Sequence, residues 1–390
     1  MGIMLTDVLL LVASILAAAV VVAALLLVRR WRRSKERVPQ DVKEIWDLTK
    51  AIEEDPHDAD AYYHRGVIYS ERGAYEQAIR DYSRAIELRP DFALAYVDRG
   101  VAYGESGDLR KEIQDQSKAI ELDPEDPLPY TNRGVAHRNL GQCDQAIRDH
   151  SRAIELDDEY ALAYVNRGVA YNEKGDCQKA LADYDKAIEL SSNYALAYLN
   201  RGKNYIDLGE NEKAVADLSK AIALSPDDPL PLTNRGVARD ALGQHEAAIE
   251  DHTRSLELDP YFSLAYTNRG VAYANLGLCE RAVEDYDRAI ELEPGSARAY
   301  LNRGVARLEL GQVKQAAEDC RRAVKLYPGD ATAHYNLACA YALLKRVKEA
   351  VQSLERAVAL EPGFRDEARA DGDFDNVRDD ERFARLVMGL

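Results

Sequence analysis

The sequence predicts an all-α, right-handed superhelical solenoid of nine helix-turn-helix repeats preceded by one transmembrane helix. Three observations lead there. Counting places from Ala161, glycine stands at place 8 in Gly66, Gly100, Gly134, Gly168, Gly202, Gly236, Gly270 and Gly304, always 34 residues apart. A fixed period of that length means stacked units, each too small to bury its own apolar face. Alanines at place 20 (Ala78, Ala146, Ala180) and place 27 (Ala85, Ala119, Ala153) alternate with rings at places 4, 11 and 24, such as Tyr164, Tyr171 and Tyr184. Small residues let two antiparallel helices approach, and the rings fill the remaining space. Finally, Val8 to Val28 is an uncharged run of 21 residues, about 31 Å as a helix and long enough to cross bilayer hydrocarbon.

Taken in order, residues 1–7 form a short non-cytoplasmic N-terminus and 8–28 the transmembrane helix. A basic linker, 29–41, follows with Arg29, Arg30, Arg32, Arg33, Lys35 and Arg37. Lys and Arg are retained on the cytoplasmic side, so the N-terminus faces out and the repeats face the cytoplasm; residues 8–37 also contact membrane lipid. Residues 42–58 match the second half of a repeat, because Ala51 and Pro56 lie 34 residues before Ala85 and Pro90. They are expected to form one helix capping the stack. Nine gapless repeats of 34 residues span 59–364, beginning at 59, 93, 127, 161, 195, 229, 263, 297 and 331. Glycine near place 15 (Gly73, Gly175, Gly311) ends each first helix, and proline at place 32 (Pro90, Pro260, Pro328) permits the turn into the next unit. DPLPYTNRGVA at Asp126 recurs as DPLPLTNRGVA at Asp228, which reads as duplication of a three-repeat block.

The glycine, alanine, aromatic and proline columns together resemble the tetratricopeptide repeat family. That resemblance implies paired helices with an inner, concave face, and a polar closing segment after the last repeat. Residues 365–390 are read as this segment, with Phe374, Val377, Phe383 and Leu386 covering the stack.

Two columns depart from or sharpen the family pattern. Place 7, usually leucine in the family, is arginine here (Arg65, Arg99, Arg133, Arg167, Arg201, Arg235, Arg269, Arg303), and place 23 is aspartate (Asp81, Asp115, Asp149, Asp183, Asp217, Asp251, Asp285, Asp319). Both change in the last repeat, to Leu337 and Ser353. An arginine cannot shed its charge on burial, so the joint loss marks the two as partners, with Arg167, Asp183, Arg201, Asp217, Arg269 and Asp285 as the central ladder. The two columns allow pairing within a repeat or with the repeat before.

Place 6 carries Asn132, Asn166, Asn200, Asn234, Asn268, Asn302 and Asn336, replaced by His64 and Asp98 near the N-terminus. The resemblance places this column on the concave helix, where some members hold an extended peptide with asparagines. One amide donates and accepts, matching a peptide bond without reading side chains. Beside it run Leu128, Leu162, Leu196, Leu230 and Leu264 at place 2, and valines at place 9. The chaperone-docking members carry basic residues at place 2, where this chain has only Arg298.

A net charge of −17 disfavours nucleic acid. Five cysteines without metal-ligand spacing argue for a reducing compartment, and Cys143, Cys177 and Cys279, all at place 17, read as small core fillers. There is no phosphate loop, nucleophile motif, metal site or cofactor signature. His137 and His150 read as a core pair. The expected protein is a non-catalytic, membrane-anchored scaffold binding a protein or peptide segment in its concave groove. The alternative is an accessory subunit of a membrane enzyme or export complex, acting through its outer surface.

Overall fold

The computed structural model describes residues 40–389, so the expected anchor at 8–28 and most of the basic linker lie outside the described residues. Among those described, no helix is long and apolar enough to cross a membrane. The chain divides into two compact units at Asp158/Glu159. The first holds helix Gln40–Glu54 followed by three helical hairpins; the second holds six hairpins and a C-terminal cap.

Each hairpin is built alike. In the fourth repeat the first helix is Ala161–Glu173 and the second Cys177–Leu190. Between them Gly175 adopts φ +90°, and the place-15 glycines of the first eight repeats all have positive φ. Glycine is favoured there because a left-handed residue lets the following N–H groups reach back to the helix's last carbonyls. Asp176 N–H, for example, donates to Tyr171 O at 2.8 Å. The ninth repeat uses Lys345 at φ +58° instead. Several first helices are started by a side-chain cap: Asp126 accepts from Leu128 N–H and Asp228 from Leu230 N–H, each just before a proline at the first helical position.

Within a hairpin, the place-8 glycine faces place 24. A Cβ built on Gly168 stands 2.6 Å from Tyr184, and one on Gly66 stands 2.8 Å from Tyr82. The rings therefore lie flat against bare backbone. Alanines at places 20 and 27 are fully buried, and so are alanines at places 3 and 10, including Ala163, Ala170, Ala197 and Ala272.

The C-terminal cap consists of helix Phe364–Ala370, a 3₁₀ turn Gly372–Val377 and helix Glu381–Met388. Tyr335 stacks on Phe364 at 4.6 Å, and Phe374 on Phe383 at 5.4 Å. Phe374, Val377, Phe383 and Val387 are buried against the ninth repeat, with Leu386 partly buried beside them.

Candidate partner-binding face and the arginine ladder

Each place-7 arginine closes its own hairpin. Arg201 Nε donates to Asp217 Oδ2 at 2.7 Å and Nη2 to Oδ1 at 2.8 Å. The same two-pronged contact joins Arg65 to Asp81, Arg99 to Asp115, Arg133 to Asp149, Arg167 to Asp183, Arg235 to Asp251, Arg269 to Asp285 and Arg303 to Asp319. The remaining nitrogen crosses to place 25 of the preceding repeat. Arg99 Nη1 reaches Ser83 at 3.1 Å, Arg201 reaches Asp185 at 2.5 Å, and Arg269 reaches Thr253 at 3.1 Å. Pairing with aspartate is thus within the repeat, while a third bond runs backward. The bonds to Asp217 push the Arg201 guanidinium further above its usual range, against the opposing effect of burial. Tyrosines at place 4 lie beside these cations, Arg201 standing 5.6 Å from the Tyr198 ring centre. Where Leu337 and Ser353 replace the pair, an open cavity of about 620 Å³ is lined by His334, Leu337, Tyr341, Ser353 and Arg356.

Places 2, 6, 9 and 13 follow one another at intervals of three or four residues, about one turn each, and so share one side of each first helix. Leu128, Leu196, Leu230 and Leu264 are exposed there, and Leu162 is half-buried. Asn132, Asn166, Asn200, Asn234, Asn302 and Asn336 are half-buried. In the second unit a cavity of about 380 Å³ is lined by Val271, Asn275, Tyr286, Asn302, Val305 and Glu309, which joins the asparagine and valine columns in one depression.

The amide row is less uniform than its sequence. Asn268 is only 5% exposed, because Arg298 of the next repeat donates to its Oδ1 at 3.2 Å; this member belongs to the packed structure. Asn200 Nδ2 donates to Leu196 O at 2.9 Å and Asn336 Nδ2 to Thr332 O at 3.0 Å. An oxygen facing those carbonyls would be repelled, so the NH₂ must be the inward end. These two amides therefore offer their Oδ1 as an acceptor rather than a complete donor and acceptor pair.

The place-17 cysteines also differ from expectation. Cys143, Cys177 and Cys279 open the second helices and are half-buried. Beside the loop, place 17 is too near the hairpin's end to be covered. The enclosed thiols are instead Cys320 and Cys339; burial, aided by Asp319, pushes the Cys320 thiol up to about 12. Cys339 donates to Asp371, which also accepts from Tyr335 at 2.7 Å. His137 Nδ1 meets Gln142 Oε1 at 2.6 Å.

The second repeat holds a polar group that the column pattern did not flag. Place 20 is Glu112 where other repeats have alanine, and place 12 is Gly104, whose added Cβ would stand 2.3 Å from Glu112 Oε2. Two departures in one repeat were the available signal: the glycine makes room for the carboxyl. Glu112 is buried, and that burial, with Glu105 nearby, pushes it up to about 7.

Family models described as tetratricopeptide repeat match residues 59–92, 93–126, 267–331 and 308–363. One described as TPR repeat matches 136–175, 168–205 and 202–239. No curated protein matches the chain in sequence. Among solved structures, the chain is similar to one in the APC/C hetero-tetramer Cut9–Hcn1, at 16% identity over 89% of this chain and 81% of that one, with a TM-score of 0.56. It is also similar to a tetratricopeptide repeat protein from Parabacteroides merdae, at 21% identity over 63% of this chain and 97% of that one, with a TM-score of 0.52. With the 34-residue period, the glycine-backed hairpins and these matches in hand, the chain belongs to the tetratricopeptide repeat family.

Proposed function

We propose that this protein is a membrane-anchored scaffold whose first helices hold an extended segment of a partner protein. The observation that carries the reading is the recurrence of a half-buried asparagine at place 6, flanked by exposed leucine at place 2 and valine at place 9. An apolar strip with amides recurring along it suits a backbone whose N–H and C=O groups recur at regular intervals. Residues 8–28 supply the anchor, and the arginines that follow hold the repeats on the cytoplasmic side.

The test is capture of crosslinked partners from detergent-solubilised membranes by the full chain and by a variant with Asn166, Asn200, Asn234 and Asn302 changed to alanine. Four contacts of about 0.5–1.5 kcal/mol each multiply to a loss of roughly thirty-fold or more. Undiminished capture moves recognition to the outer helices. For topology, protease added outside sealed right-side-out vesicles should leave the repeats intact; their digestion reverses the orientation.

A further inference from the structure

On the partner-facing side, the first unit differs in charge from the second. Places 2, 6, 9 and 13 of its repeats carry Asp60, Glu71, Asp98 and Glu105 and no lysine or arginine. The corresponding places of the second unit carry Lys203 and Arg298 beside Glu173, Asp207 and Glu309. At the start of the first unit, a cavity of about 440 Å³ brings Glu44, Asp47, Glu71 and His64 around Leu48, Val67 and Ile68.

Some exposed carboxylates of the first unit find cations one turn away, as Glu87 does with Arg84 at 2.8 Å and Glu121 with Lys118 at 2.8 Å. Glu44, Asp47, Glu71 and Glu105 have no ion-pair partner among the described residues. Glu105 instead faces the buried Glu112, whose ionisation it opposes. Asp98 is already engaged by the Tyr63 hydroxyl at 2.7 Å, and Asp60 by Arg89 at 2.5 Å. What remains is an apolar floor, Leu48, Val67 and Ile68, edged by the carboxylates of Glu44, Asp47 and Glu71, and the next repeat carries Leu94, Val101 and Glu105 at the corresponding places. Like charges held together raise the energy of the free protein, and a bound cation relieves it.

We propose that this groove docks an extended segment of a partner protein in which lysine or arginine alternates with apolar residues. The proposal rests on the reading that places 2, 6, 9 and 13 form the partner-facing side, and adds the chemistry of the occupant. Alternation suits it because successive side chains of an extended chain point to opposite sides, one set reaching the floor and the other the carboxylate rim. A purely polar cation would leave the floor uncovered, and a purely apolar segment would bury the carboxylates unpaired.

The test uses the full-length chain in neutral detergent and a fluorescent twelve-residue peptide alternating lysine and leucine, read by polarisation, with glutamate–leucine and lysine–serine peptides as controls. The lysine–leucine peptide should bind, weaken steeply with added salt, and lose about tenfold in affinity to the double variant Glu71→Gln/Glu105→Gln. Equal binding of the glutamate–leucine or lysine–serine peptide, or no loss in the double variant, overturns the proposal. The Asn166, Asn200, Asn234 and Asn302 variant should bind the peptide like the wild type. This separates failure of the acidic groove from failure of the asparagine row. Residues 29–37 of the chain are also basic, with Trp31 among them. If the peptide binds only after Arg29, Arg30, Arg32, Arg33, Lys35 and Arg37 are changed to glutamine, the occupant is the protein's own basic segment and the partner assignment falls.

Discussion

Arg201 and Asp217 lie sixteen residues apart and meet through two near-parallel bonds of 2.7 and 2.8 Å, so one guanidinium ties the first helix of a hairpin to the second. Both side chains are largely enclosed, at 18% and 11% exposure. Removing the cation by Arg201→Ala leaves the carboxylate enclosed and unpaired, and should cost about 3–5 kcal/mol. The ninth repeat shows how the same position does without charge, through Leu337 and Ser353. The double variant Arg201→Leu/Asp217→Ser should therefore recover most of the loss. Urea denaturation midpoints of the wild type, Arg201→Leu, Asp217→Ser and the double variant decide it; strictly additive costs would mean the two residues do not act as a pair.

Overpacking should follow from adding one methyl to the hairpin interior. Gly168→Ala drives its Cβ to 2.6 Å from the Tyr184 ring and should lower stability by about 1–3 kcal/mol. Ala338 occupies the equivalent place in the ninth repeat opposite Leu354. Adding Tyr184→Leu to Gly168→Ala should restore part of the midpoint, whereas a further drop would show that the ring is not what the methyl meets.

The carboxyl of Glu112 gives a pH dependence of definite sign. In the unfolded chain it titrates near 4.5, and burial followed by Glu105 pushes it up to about 7 in the folded protein. Folding therefore retains a proton that the unfolded chain gives up. Its contribution is complete below pH 4.5 and is lost as pH rises from there to 7. Glu112→Ala, which installs the residue found at this place in Ala78 and Ala146, should stabilise the protein at pH 8 by roughly 3 kcal/mol and flatten stability between pH 5 and 7. Thermal melts across that range in both chains provide the check, and an unchanged slope would exclude Glu112 as its source.

Acid should act in the opposite direction at His252. It is fully buried at place 24, and desolvation, then the nearby Arg269 charge, pushes it down to about 3. The unfolded chain gains a proton that the folded one refuses, so stability falls as pH drops from about 6.5 towards 3. His252→Tyr, copying Tyr184 and Tyr286 over the same glycine column, should remove that component of acid sensitivity. Acid melts that stay superimposed on wild type would assign the loss elsewhere.

A similar exchange at Gln116 tests the cost of an orphaned group. Its Nε2 donates to Val97 O at 2.9 Å, but Oε1 is enclosed without a partner. Gln116→Tyr, the residue at this place in Tyr82, should stabilise the first unit by about 1–3 kcal/mol. A lower urea midpoint would mean the amide is satisfied by water.

The period and the glycine, alanine and aromatic columns are legible in the sequence because each records a contact repeated at the same spacing. Pairing of the arginines was readable only in part. Thr49, Ser83, Ser117, Asp185, Ser219, Thr253 and Asp287 form an acceptor column at place 25, and Arg321 interrupts it one hairpin before Leu337. The place-25 column thus changes with place 7 of the following repeat, a signal visible only by comparing neighbours rather than single units. Asn268 was hidden for a different reason. Its cover is Arg298, thirty residues on, and nothing in the asparagine column itself distinguishes it. The acidic edge at Glu71 and Glu105 lay in plain sight at place 13, where no packing pattern draws attention to an exposed carboxylate.

The backward bond from place 7 to place 25 has a consequence for how such a chain can change length. Deleting one full period, residues 195–228, would bring Asp185 opposite Arg235, which now bonds Ser219 at 2.9 Å. The donor would still meet an acceptor, and Arg235 would keep Asp251 within its own hairpin. Whole-period insertion or loss is therefore neutral to the ladder, while a deletion that takes an aspartate and leaves its arginine strands an enclosed cation. Recombination between copies can shorten or lengthen the array in single steps as far as Arg303. Beyond it the columns end, with Arg321 at place 25, Leu337 at place 7 and Ser353 at place 23, so the last hairpin is outside this interchange.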